Sequence, residues 1–152
     1  MIRILGKRSS INVRKVLWTC EEAGIEYQQE DYGSGYSPLD TPEFLALNPN
    51  ALVPVLVDDD FVLWESNSIC RYLARKVGRD DLLPSALRAA AQVEHWMDWQ
   101  ATEFNSAWRY AFTGLVRKIR VFRIRRQLKR VLPRGRAAYR LSTTSYSAPA
   151  RG

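Results

Sequence analysis

The order of apolar and polar positions divides the first half of the chain into seven short elements. Residues 2–5, IRIL, fit a strand, and Gly6-Lys7-Arg8-Ser9-Ser10 a loop. Between Ile11 and Ala23, Val13, Val16, Leu17 and Cys20 recur at helical spacing, with Trp18 beside them. Gly24 then ends that helix, because glycine adopts the left-handed C′ conformation without strain. Residues 26–31, EYQQED, are weakly hydrophobic and suit a strand at or near a sheet edge, and YGSGYSPLD at 32–40 is a loop. Thr41-Pro42-Glu43 opens a short helix, with threonine as N-cap and proline at the first position. Two apolar runs, Val53–Val57 and Phe61–Trp64, flank Asp58-Asp59-Asp60 and read as strand, tight turn, strand. Pro54 stands at the start of the first run, where a missing N–H is tolerated. After Glu65-Ser66 comes a helical run with Ile69, Tyr72 and Leu73 on one face, and Ser66 is expected as its N-cap.

The predicted order is β-α-β-α-β-β-α, an α/β thioredoxin-like arrangement over residues 1–78. Residues 78–86, GRDDLLPSA, break the periodicity and read as a linker. From Leu87 a long helical pattern follows, carrying Val93, Trp96, Met97, Trp99, Phe104, Ala107, Trp108, Ala111, Phe112 and Leu115. Beyond about Ile119 the composition changes. Residues 119–132 suit a basic amphipathic helix, and 133–152 are rich in Pro, Gly, Ser and Arg, a composition that favours disorder.

Charge sharpens that boundary. The chain of 152 residues carries +7 overall, yet all 16 acidic residues lie at or before Glu103. Residues 1–103 hold ten Lys and Arg, a net of −6, whereas 104–152 hold thirteen and no acid, a net of +13. Two pieces of different character are expected. The basic piece attracts phosphate without specificity, since no recognition helix, zinc spacing or stacking platform accompanies it. No apolar run is long enough to span a bilayer, and no cationic leader opens the chain. Cys20 and Cys70 are far apart and each lies in a predicted helix among apolar residues, so they read as buried free thiols of a cytoplasmic protein.

NPNALVPVL at 48–56 followed by LWESNSICRYLA at 63–74 resembles the N-terminal half of a cytosolic glutathione transferase, of bacterial theta- or beta-like type. The resemblance covers about residues 1–118. It implies a thioredoxin-like glutathione-binding domain at 1–78 and, at 79–118, a linker and the first long helix of a partial all-α C-terminal domain. It also implies a cis Val53–Pro54 bond, pairing of the Val53 backbone with the cysteinyl part of glutathione, and capture of the γ-glutamyl end by Glu65 and Ser66. A helix N-terminus suits such a carboxylate, because its N–H groups are unpaired and its dipole is positive there. The further helices usual in the family have no counterpart in 119–152. That basic tail reads as the product of a shifted frame or a truncated gene rather than as a functional extension.

The resemblance also implies a serine that donates its hydroxyl hydrogen bond to the glutathione sulfur. Counting back from Gly24 places it at Ser10, with Ser9 as the alternative and Asn12 in support. The attacking species is the thiolate, and a free thiol has a pKa of about 8.5. Lowering it by about two units requires roughly 2.7 kcal/mol of preferential thiolate stabilisation. One charge-assisted hydrogen bond and a helix end can supply that. The plainer role for Ser9 and Ser10 is helix capping. Leu52 stands where many relatives have Lys or Gln, and Leu39-Asp40 where a cation often meets the glycine carboxylate, so Lys7 or Arg8 is the candidate substitute. On the long helix, Asn105 resembles the position of a histidine that some relatives place near the sulfur. Trp108, Arg109 and Phe112 are candidates for the electrophile pocket, with helix packing the alternative role of the aromatics. His95, the single histidine, has no metal-ligand spacing around it and reads as a structural or surface residue.

Three functions follow, the third being glutathione-linked disulfide reduction without a protein cysteine. The first is a metal-free glutathione S-transferase, homodimeric if it follows the family, that transfers the thiolate to a small electrophile such as a halogenated acid. The alternative is a non-catalytic glutathione-transferase-like binding or interaction module.

Overall fold

The computed structural model describes residues 1–115; the basic helix and tail expected beyond them lie outside the described residues. The elements are β1 (Ile2–Leu5), α1 (Ile11–Ala23), β2 (Tyr27–Glu30), α2 (Pro42–Leu47), β3 (Val55–Asp58), β4 (Phe61–Trp64), α3 (Ser66–Lys76), α4 (Leu87–Trp99) and α5 (Asn105–Leu115). The chain divides into two compact units, Met1–Ala91 and a second beginning at Gln92.

In the first unit the four strands form one sheet in the order β2-β1-β3-β4. β1 and β2 are parallel and joined by the α1 crossover, while β1–β3 and β3–β4 are antiparallel. This is the thioredoxin-like arrangement expected from the pattern. The pleat sorts the side chains into two faces. On one, Leu5, Val55 and Val57 pack with Phe44 of α2, and Tyr32, Leu39, Leu47, Val53 and Val62 surround them. Ile4 and Leu56, on the other face, are wholly buried, as are Val13 and Val16 of α1 and Ile69 and Leu73 of α3. Tyr72 of α3 stacks on Phe61 of that same face with ring centroids 5.1 Å apart.

The local rules hold at most ends. Gly24 closes α1 with φ 65°, and its N–H bonds to the carbonyls of Cys20 and Glu21. The Thr41 hydroxyl accepts from Phe44 N, and Pro42 fills the first helical position. Three expectations are corrected. Pro54 precedes β3 rather than opening it. Ser66 is the first residue of α3, and Glu65 occupies the cap position with φ 71° and no side-chain cap bond. Asp58 belongs to β3, paired with Phe61, so the turn is Asp59-Asp60 alone. Asp58 is buried, and its carboxylate accepts from Tyr72 Oη at 2.5 Å and Lys76 Nζ at 2.6 Å. Those two bonds hold its pKa below the usual aspartate value.

The second unit is helical. The long helical pattern is not uniform: a π-helical turn, Gln100–Phe104, separates α4 from α5. Such turns insert an extra residue into the helical repeat and re-aim the side chains that follow. Among the described residues, no helix is long and apolar enough to cross a membrane.

Candidate active site

Strand register gathers the candidate residues. Leu5 at the end of β1 pairs with Val55 at the start of β3, and Val55 pairs with Trp64 at the end of β4. The β1–α1 loop, the Val53–Pro54 segment and the Glu65–Ser66 turn therefore leave the sheet at the same end. Gly6 locks two of them together. A Cβ on Gly6 would lie 2.5 Å from Val13 Cγ2 of α1 and 2.9 Å from Val53 Cβ. The α1 start and Val53 thus close on one glycine, whose φ of 143° few other residues adopt.

Ser10 is the N-cap residue of α1, in extended conformation, but its side chain makes no cap bond. The position is that of a cap, while the hydroxyl is not committed to capping. The loop before it is held by its backbone, with Ser10 N donating to Lys7 O at 3.0 Å and Gly6 N to Glu30 O at 2.7 Å. Ser9 is exposed and Asn12 half-buried.

The Val53–Pro54 bond is cis, as the resemblance implied. Asn48, which the sequence reading passed over, sets the segment leading to it. This buried side chain donates from Nδ2 to Leu52 O at 2.8 Å, and its Oδ1 accepts from Asn50 N at 3.0 Å. The available signal was an asparagine directly after a helix and two residues before another, the setting of an Asx turn. Glu65, with φ 71°, is a non-glycine residue in a conformation that side chains rarely adopt, and such residues gather at functional sites. Ser66 behind it is buried.

The two candidate cations diverge. Lys7 Nζ donates to Ser34 O at 2.9 Å, in the loop after β2. Arg8 Nε donates to Gln29 Oε1 on β2 at 3.0 Å. Leu39 packs with the Phe44 cluster. Cys20 and Cys70 are buried free thiols. Burial pushes Cys20 up to about 12 and raises Cys70 as well, the opposite of what a reactive thiol needs.

The pocket candidates lie on the second unit. Asn105 Oδ1 accepts from Gln100 Nε2 at 3.0 Å and from Trp108 Nε1 at 3.2 Å, spanning the π turn. The Trp108 and Phe112 rings meet edge-on at 4.9 Å, and Arg109 is exposed. Asn105, Trp108 and Phe112 thus form one chain of contacts along α5. His95 is exposed beside the Trp96 ring, 4.9 Å between centroids. Among the described residues no group of three or more His, Cys, Asp or Glu is placed to hold a metal ion.

Residues 2–75 match the family model described as the glutathione S-transferase N-terminal domain. Among relatives, the chain is 44% identical over 119 residues to glutathione S-transferase GstB of Escherichia coli K12, covering 77% of this chain and 57% of that protein. It is 36% identical over 107 residues to elongation factor 1-gamma 3 of Oryza sativa subsp. japonica, covering 68% of this chain and 26% of that one. Among solved structures, it resembles the theta class glutathione S-transferase of Xanthomonas axonopodis pv. citri with glutathione bound. The TM-score there is 0.74 at 42% identity, over 90% of this chain and 62% of that one. The chain thus spans less than two thirds of the length of these relatives.

Proposed function

We propose that this protein is a glutathione transferase that binds glutathione along the Val53–Pro54 segment and transfers its sulfur to a small electrophile. The observation that carries the reading is Ser10. It sits at a helix start with its hydroxyl uncommitted to capping, at the sheet end where the cis bond and the Glu65–Ser66 turn also lie. The Ser10 hydroxyl donates to the glutathione sulfur and favours the thiolate, as does the positive end of α1. The thiolate attacks the electrophile, the carbon–sulfur bond forms, and the leaving group departs with its electron pair. Val53 pairs with the cysteinyl backbone, with Ser9 and Asn12 bordering it, while Glu65 and Ser66 receive the γ-glutamyl end. Asn105, Trp108, Arg109 and Phe112 contribute to the electrophile side. The proposed organisation is a glutathione-binding domain over 1–78, a linker and long helix over 79–118, and a basic tail. The protein acts in the cytoplasm, and a homodimer fits the exposed Phe61 and Trp64 of edge strand β4.

Likeness to elongation factor 1-gamma 3, a relative whose name is not that of a transferase, supports the second reading, a non-catalytic glutathione-transferase-like interaction module. One experiment separates the two. The wild-type protein is expected to be retained on immobilised glutathione and to conjugate a chloronitrobenzene substrate, with Ser10→Ala losing most of the rate and keeping the binding. Binding without turnover in the wild type assigns the module. Neither binding nor turnover overturns the glutathione site itself.

A further inference from the structure

The α1–α3 contact carries a charged group for which the thiolate chemistry has no use. Lysine seldom stays inside a protein without a partner, since its ammonium is strongly hydrated. Lys15 is half-buried, five residues into the helix that begins after Ser10, and flanked by the buried Val16 and half-buried Thr19. Its Nζ donates to Asn67 Oδ1, in the first turn of α3. Burial lowers the Lys15 pKa, while the nearby Cys70 and Glu65 act against that lowering and Arg71 adds to it.

We propose that Lys15 is the positioning residue of the γ-glutamyl subsite: through Asn67 it ties the Glu65–Ser66 turn to the helix that carries Ser10, and its charge offsets that of Glu65 toward an incoming carboxylate. The inference rests on the reading that this turn receives glutathione. The γ-glutamyl end is a zwitterion, with an α-carboxylate and an α-ammonium. The Glu65 carboxylate suits the ammonium but repels the carboxylate. The α3 N-terminus and the Lys15 ammonium restore a field that accepts both. The turn also needs a mechanical anchor, because Glu65 holds a φ of 71° that surrounding structure must impose. Ile69 N donating to Glu65 O anchors it from within α3, and Lys15 anchors it from outside.

The test is glutathione titration calorimetry with steady-state conjugation kinetics on the wild type, Lys15→Met, Asn67→Ala and the double variant, each with its melting temperature. Methionine keeps the apolar stem and removes the charge. Lys15→Met is expected to raise the glutathione Kd and KM about tenfold, while kcat at saturating glutathione stays within twofold and the pH midpoint of thiol ionisation does not move. Asn67→Ala is expected to raise KM in the same direction, with the double variant no worse than Lys15→Met, because both lie on one contact. Should Lys15→Met fail to fold, the same split in Asn67→Ala decides. A Kd within twofold of wild type in a folded Lys15→Met, or equal losses in kcat and affinity, overturns the positioning role while leaving the glutathione reading intact. A wild type that binds no glutathione overturns both.

Discussion

Gly6→Ala tests the geometry on which the site depends. The added methyl meets two costs that are separable in this structure. Its backbone holds φ at 143°, which is expected to cost an L-residue roughly 1–3 kcal/mol. Its Cβ would come within 2.5 Å of Val13 Cγ2 and 2.9 Å of Val53 Cβ, closer than carbon atoms approach. Relief requires α1 or the Val53 segment to move, and overpacking of this kind costs about 1–3 kcal/mol. The total, roughly 2–6 kcal/mol, is a large share of the 5–15 kcal/mol typical of a whole domain. Gly35→Ala is the control, because its φ is 91° but nothing lies within 4 Å of the new methyl. It should lose only the backbone component. Urea unfolding followed by circular dichroism measures both, and folded Gly6→Ala should also lose retention on immobilised glutathione as Val53 is displaced. If Gly6→Ala loses no more stability than Gly35→Ala, then α1 and the Val53 segment do not close on Gly6, and the convergence argued from the register fails.

Three further outcomes follow from the same structure. Asp58 has a folded pKa below its ordinary 3.8, so its stabilisation is fully present above that value and is lost as pH falls through the lower folded one. Asp58→Asn should flatten the fall in melting temperature between pH 5 and pH 2, and an unchanged acid limb would refute the assignment. With Cys20 raised to about 12 and Cys70 raised by burial, both thiols of the native protein should react with an aromatic disulfide reagent at pH 8 far more slowly than after denaturation; fast native reaction of either would contradict their burial. Glu65→Gly should hold or raise the melting temperature, since glycine relieves a backbone strain of about 1 kcal/mol or more, while lowering glutathione affinity at least tenfold. A less stable variant with unchanged binding would show that the Glu65 conformation serves folding alone.

Most of the first unit was legible because its rules are local. The α1 bounds follow from four apolar residues at helical spacing and a glycine at the close, and α2 from Thr41-Pro42. β2, with little apolar character, takes the edge position that its composition allowed. What escaped depends on partners distant in sequence. Asp58 looks like a turn residue beside Asp59 and Asp60, and only Tyr72 and Lys76, fourteen and eighteen positions on, make its burial in a strand tolerable. Ser66 looks like a cap because serine commonly is one; the hairpin instead delivers the chain with Glu65 in the cap position. The π turn at Gln100–Phe104 leaves the apolar pattern nearly unchanged, because one inserted residue shifts the helical phase without altering which residue types appear.

The same division separates the parts of the candidate site. The α1 start was foreshadowed by the polar loop before it and the cis Val53–Pro54 bond by the resemblance, whereas the close approach at Gly6 was not anticipated. Side-chain partnerships were not: Lys15 reads as one more exposed basic residue of an amphipathic helix until α3 is packed against it, and Asn48 as a loop asparagine until its amide is seen bridging Leu52 and Asn50. A sequence motif can therefore mark where glutathione would lie while leaving unread the contacts that hold the turn in place. Substitutions at Lys15 and Asn67 are therefore expected to test the site independently of the motif residues.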